Sequence, residues 1–281
     1  MNVVGLGQAG CNIAEKFKQY PQYEVYKIDV SLTGDRCFAM PYFNNHEQYE
    51  QKCPEKKLKD FLKEVNSETL FITSAGTISG STLRIIKLLK DNNCKVSILY
   101  IKPDKGSLNN DRKLQENLLF GVLQEYARSS ALEQIYLISN ESASRVIGNV
   151  PVKQYYDSLN AAVASTYHMI NIFSHSESAM STFSSVPQTA RILTFGIVNY
   201  ENSEEKMFFL LDKVRNKRYY YAIPETILDK DSKLLNNIKE QVKGKLEHEQ
   251  MSVGYAIYPT QYDEKYVYCL ARASMIQKNI E

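Results

Sequence analysis

Apolar positions along the chain come in short runs that alternate with helically spaced stripes. Residues 2–4 form an apolar run ending at Gly5, followed by Ile13, Phe17 and Tyr20 at near-helical spacing. A second strand is predicted over 23–30, ending on Asp29 and Val30, and an irregular, Asn-rich stretch over 31–51. A helix over 56–65, a strand over 69–73 and a helix carrying Leu83, Ile86, Leu88 and Leu89 follow. Next come a strand over 95–101, a helix over 111–128, a strand over 134–138 and a long helix over 152–174. Strands that alternate with helices in this way predict parallel βαβ units.

Beyond the Ser-rich stretch 174–187 the pattern changes. Strands are predicted over 190–198, 206–211, 218–222, 252–258 and 265–273, with one helix over 231–247. The expected fold class is therefore α/β. A Rossmann-like parallel-sheet domain occupies 1–151, a central helix and following loop 152–186, and a smaller strand-rich α+β domain 187–281.

Composition narrows the function classes. An apolar content of 43% is globular, and a net charge of +2 implies no nucleic-acid field. The five cysteines (Cys11, Cys37, Cys53, Cys94, Cys269) contain no C-x-x-C pair, and the four histidines (His46, His168, His175, His248) show no metal-ligand spacing. A reducing compartment fits this usage. No stretch approaches the ~18 apolar residues of a membrane span. The chain enters a strand at once, so a cytoplasmic location is expected.

Two glycine-rich turns carry the candidate chemistry. Gly5-x-Gly7-x-x-Gly10 lies between a predicted strand and a helix, with Asp29 nineteen residues beyond Gly10. Glycines permit a tight turn and bring backbone N–H groups close to a phosphate at a helix N-terminus. By pattern alone this is also the dinucleotide fingerprint, so a NAD(P)-binding enzyme is one reading. Ser74-Ala-Gly-Thr-Ile-Ser-Gly-Ser81 is a second strand-to-helix turn of small and hydroxyl residues. Two phosphate loops on one sheet suit a nucleoside triphosphate better than a dinucleotide.

The motifs then acquire a specific resemblance. Gly5-Leu-Gly-Gln-Ala-Gly-Cys-Asn12 resembles the first nucleotide loop of tubulins (G-Q-A-G-C) combined with that of FtsZ (G-x-G-x-x-G-x-N). Ser74–Gly80 is similar to the tubulin signature G-G-G-T-G-[ST]-G, matched at Gly76, Thr77, Ser79 and Gly80. Lys102-Pro103 resembles the family's T-K-P, Ile138-Ser-Asn140 its I-P-N, and Tyr155-Tyr-Asp-Ser-Leu-Asn160 its F-G-A-A-N. Val253–Pro259 and Tyr266–Arg272 are similar to the last strand pair of FtsZ.

The resemblance to the tubulin/FtsZ superfamily implies GTP or GDP as ligand, Mg²⁺ accompanying the phosphates, and a head-to-tail filament of the protein with itself or with a tubulin-like partner. It implies that Gly7, Gln8, Ala9, Gly10 and Cys11 approach the phosphates with backbone and side chain. Gly76, Thr77, Ser79 and Gly80 would hold the β- and γ-phosphates. Asn12, Asn140, Tyr156 and Asn160 would surround guanine and ribose, Asp29 matches an acid after the second strand, and Arg112 stands one residue out of register with a family arginine.

Three departures stand out. Ser74, Ala75 and Ile78 replace family glycines, and β-branched Ile78 disfavours positive φ. Thr182 and Ser185 stand where the family carries acids that act on the next subunit's nucleotide, and neither hydroxyl serves as a general base. Glu177 is the only nearby carboxylate, and it reads as solvent-exposed. The termini are bare of the usual tail peptide, which points toward a phage or plasmid element. Weak or absent hydrolysis is expected, with a non-catalytic regulator or capping partner of a tubulin-like polymer as the alternative.

Overall fold

The computed structural model describes residues 1–104, 106, 108–246 and 250–278; His248 lies outside them. The strands are β1 Asn2–Leu6, β2 Glu24–Asp29, β3 Cys37–Ala39, β4 Glu68–Ser74, β5 Lys95–Lys102, β6 Gln134–Ser139, β7 Met180–Ser181, β8 Ile192–Val198, β9 Glu205–Met207, β10 Val214–Pro224, β11 Ser252–Thr260 and β12 Tyr266–Ala273. The helices are α1 Gly7–Lys16, α2 His46–Gln51, α3 Glu55–Phe61, α4 Thr82–Asp91, α5 Asn110–Arg128, α6 Asn140–Ile147, α7 Tyr155–Ser174, α8 Glu225–Leu228 and α9 Leu234–Lys243.

The strands join in one sheet of order β3-β2-β1-β4-β5-β6-β8-β12-β10-β11-β7, with β9 added to β8. From β3 to β8 every pairing is parallel. The β6–β8 ladder has only two register pairs, Ile135 with Ile192 and Tyr136 with Leu193. Beyond it β8–β12 and β12–β10 are antiparallel, β10–β11 parallel and β11–β7 antiparallel.

Near-continuous apolar runs in β1, β4, β5 and β6 are buried on both faces, as expected of parallel strands covered on both sides. On one face Ile85, Ile86 and Leu89 of α4 and Phe120 and Leu123 of α5 pack over Phe71, Ile98 and Tyr100. On the other, Ile13 and Phe17 from α1 and Leu159, Val163 and Tyr167 of α7 cover Val3, Leu70, Leu99 and Tyr136, and reach Phe195, Tyr220 and Leu270 of the later strands. A third cluster joins α9 through Leu234 and Ile238 to Tyr219, Tyr221 and Tyr255.

The sequence expectations differ from the structure in several places; α6 and α8 were not expected, the helix over 231–247 contracts to α9, and the strand over 218–222 extends to β10. The stretch 31–51 holds β3 and α2; Asn45 caps α2 by accepting from the Gln48 amide at 3.0 Å. The strand expected over 206–211 contracts to β9, because Phe208 and Phe209 turn into the core instead of alternating. Val152–Gln154 forms a 3₁₀ turn ahead of α7. The Ser-rich stretch contributes β7, an edge strand too polar and short for pattern reading. Among the described residues no helix is long and apolar enough to cross a membrane.

Candidate functional site

Parallel register places the loops after β1, β4, β5 and β6 on one edge of the sheet, since Gly5 pairs with Ile72, Ser74 with Ile101 and Lys102 with Ser139. The chain runs outward from β1 to β2 and β3, then returns through β4 to the other side. The gap between β1 and β4 at this edge is thus the switch point at which open α/β sheets receive ligands.

At that point β1 passes directly into α1. Leu6 is still extended, Gly7 has φ +69°, and no side chain caps the helix. The first amides of a helix lack intrahelical acceptors, so Gly7, Gln8 and Ala9 present donors at the positive end of α1, while the Gly10 amide closes the first turn onto Leu6. The other two glycines are there for packing. A Cβ on Gly5 would stand 2.6 Å from the Gly10 carbonyl oxygen, and one on Gly10 would overlap the Ile72 carbonyl oxygen of β4. Only with both stripped to hydrogen does α1 lie this close to β1 and β4.

Cys11 differs from its expectation. Its Sγ is buried and donates to the carbonyls of Gly5 at 3.4 Å and Ile28 at 3.6 Å, so the side chain faces the sheet and not the loop. Burial pushes the thiol up to about 12, which keeps it neutral. Gln8 and Asn12 are exposed beside it. Asp29 is half-buried at the end of β2, where it accepts from the Val30 amide at 2.8 Å; burial raises its carboxyl above the usual range despite that bond.

The second loop takes a conformation that Ile78 tolerates. Thr77–Ser81 coils into a 3₁₀ turn, with the Ser79 amide donating to Gly76 O at 2.9 Å and Ser81 Oγ donating to Ile78 O at 2.8 Å. No residue in it has positive φ. Ile78 is buried, and its Cγ2 lies 2.8 Å from where a Gly7 Cβ would be, so the two loops touch at Gly7 and Ile78. Gly76 is exposed with open space above it. Gly80 instead packs under the His46 carbonyl of α2, which leaves no room for a side chain.

Tyr156 and Asn160 lie one turn apart on the same face of α7. Tyr156 is 69% exposed, which excludes a core role, and stands edge-on to Tyr155 at 5.2 Å. Asp157 anchors this end of α7 to α1 through Lys16. Asn140 opens α6, where Ser139 accepts from the Ser142 amide, and lines a cavity of about 380 Å³ with Lys102, Asp104, Arg145, Asp212 and Gln277. Arg112 is exposed in the first turn of α5, which Asn109 caps; neighbouring Asp111 and Leu114 face α2 and Ser79–Gly80 across a separate cleft. Among the described residues no three His, Cys, Asp or Glu side chains cluster as a metal site.

The stretch 180–185, which contains the expected Thr182 and Ser185, is tied to the edge of the sheet. Met180 and Ser181 pair with Ile257 and Ala256 of β11. The Thr182 amide donates to Tyr255 O at 2.8 Å, and its hydroxyl accepts from the Tyr255 amide at 2.9 Å. Phe183 packs on Tyr220, with the Arg218 guanidinium 4.7 Å over its ring and donating to Ser184 O at 2.9 Å. Ser185 and Glu177 are exposed.

Solved structures share this architecture. TubZ from Bacillus thuringiensis serovar israelensis, in a GTPγS-form protofilament, superposes with a TM-score of 0.73 at 17% identity, covering 98% of this chain and 87% of TubZ. FtsZ from M. jannaschii gives 0.64 at 13%, covering 96% and 87%. CetZ2 from Haloferax volcanii, in a GTPγS-bound protofilament, gives 0.66 at 14%, covering 96% and 92%. The fold is that of the tubulin/FtsZ superfamily. No family model and no curated protein matches the sequence. The likeness is thus one of fold, at 13–17% identity. Within that fold, the candidate loops occupy the edge that the parallel register predicts.

Proposed function

We propose that this chain is a tubulin-like cytoskeletal protein that binds GTP or GDP, with Mg²⁺ accompanying the phosphates, and associates head to tail with itself. The observation that carries the reading is the uncapped N-terminus of α1 at the switch point, faced across the Gly7–Ile78 contact by a second hydroxyl-rich loop. Three free amides and a helix dipole favour a phosphate there. Tyr156 and Asn160 at the start of α7 offer a stacking face and an amide for a base. The solved relatives caught as protofilaments support the assembly part.

Hydrolysis is slow on this reading. Phosphoryl transfer to water depends on positioning and charge at the γ-phosphate, and Thr182 spends its hydroxyl on Tyr255. Loss of an acid–base group costs about a hundred- to ten-thousandfold. The test is to release bound nucleotide from gently purified protein and identify it, then image the protein with and without GTP. Guanine nucleotide, filaments with GTP, and phosphate release far below that of FtsZ are expected. Bound NAD(P), or phosphate release at FtsZ-like rates, would refute it. A second reading, a non-catalytic partner of another tubulin-like polymer, draws on the tightened loop around Ile78. Filaments formed by this protein alone exclude it.

A further inference from the structure

The opposite edge of the sheet holds a second cavity, of about 290 Å³, at the N-terminal ends of β4, β5 and β6 and beside the last turns of α7. Ser97, Gln134, Tyr136, Asn171 and Ser174 line it together with Arg272 of β12. Arg272 is largely enclosed, and its Nε is buried with no acceptor. Its Nη1 has one partner, the Gln134 amide oxygen at 3.4 Å. Gln134 is already committed, since its Nε2 donates to the Tyr136 hydroxyl at 2.6 Å. Among the described residues no carboxylate lies within ion-pair distance of Arg272. Burial lowers its affinity for a proton, yet a guanidinium stays charged in a protein.

A charge taken out of water without a counterion costs several kcal/mol, so this site is electrostatically incomplete as built. We propose that the Arg272 cavity binds the carboxylate of a small monoanionic acid. The guanidinium fork matches a carboxylate with two parallel N–H···O bonds. Tyr167, Ile170 and Leu270 supply an apolar wall for a short carbon tail. Glu68 and Glu133 also line the cavity, beside Lys95 and the Met1 ammonium; with Arg272 the lining has a surplus of one positive charge, which one carboxylate matches and a dianion such as phosphate exceeds. His175 also lines the cavity, 3.9 Å from Glu68. The inference does not depend on nucleotide binding, because the cavity lies at the other edge of the sheet.

The test is calorimetric titration of the full chain with butyrate, acetate and inorganic phosphate at matched ionic strength. It uses the natural protein, Arg272→Met, which keeps the side-chain volume, and Ser97→Leu, which fills the cavity and keeps the arginine. Saturable butyrate binding is expected in the natural protein, with at least a roughly tenfold loss in both variants, the scale of one charged hydrogen-bond pair. The proposal is overturned if butyrate gives no saturable heat, or if both variants bind it as the natural protein does. It is also overturned if phosphate binds more tightly than butyrate in an Arg272-dependent way. Should Arg272→Met fail to fold, Ser97→Leu decides alone.

Discussion

Gly7, Gly10 and Gly76 belong to the same kind of motif in sequence, yet each meets a different demand in space. Gly7 needs a left-handed backbone, Gly10 needs the absence of a Cβ beneath the Ile72 carbonyl, and Gly76 needs neither. Gly10→Ala therefore pushes backbone against backbone and is expected to cost about 2 kcal/mol, the range of core overpacking, read from urea unfolding. Gly76→Ala has φ −77° and open space, so its stability should stay within about 0.5 kcal/mol. If Gly76 serves a phosphate, its variant loses GTP affinity at unchanged stability; a parallel loss of both would contradict the assignment. The spacing of the glycines was legible in the sequence. Which constraint each obeys was not, because that depends on β4 and α2, elements far away along the chain. The inward turn of Cys11 was hidden for the same reason: its acceptors are the carbonyls of Gly5 and Ile28.

Between elements, two ties organise the later strands. Thr182 holds β7 on β11 by its amide and hydroxyl together. Thr182→Ala should cost about 1 kcal/mol and speed amide exchange over 179–183 without raising phosphate release; a rise would show that the threonine restrains chemistry. Glu205 on β9 accepts from Tyr219 at 2.6 Å and pairs with Lys217 at 3.1 Å and Lys245 at 2.9 Å. Burial pushes its carboxyl up, but Tyr219 and the two ammonium groups outweigh this and hold it below the usual range. A carboxylate with a depressed folded pKa adds stability that is complete above the unfolded value. That stability is lost as pH falls through the folded value. Glu205→Gln should cost about 3 kcal/mol at neutral pH and flatten the loss of Tm below the ordinary glutamate pKa. A variant as acid-sensitive as the natural protein would contradict this. Long periodic elements such as α5 and β5 were readable from pattern. The short ones, β3, β7, β9 and α2, were not, because tertiary pairing and not local periodicity holds them.

For the whole molecule, the resemblance carried by six motifs in order was enough to anticipate the architecture. The cavity around Arg272 escaped that reading, because its walls come from five separate elements. Assembly is a property of this scale. If the candidate nucleotide edge of one copy meets the opposite edge of the next, as proposed, pelleting should require GTP above a threshold protein concentration and outlast that of a polymer that hydrolyses it quickly. Pelleting that is indifferent to nucleotide would sink that arrangement.

The ladder between β6 and β8 bears on how such an assembly carries load. Two register pairs join the six strands from β3 to β6 to the rest of the sheet, where the ladders on either side run to six and seven. Under a load that draws the two parts of the sheet apart, strain concentrates at the shortest ladder between them. Here that ladder lies at the middle of the molecule, spanned on one face by α7, whose 20 residues reach about 30 Å. Pulled from its two ends in an optical trap, a single copy should lengthen first by opening there, with both flanking halves still folded.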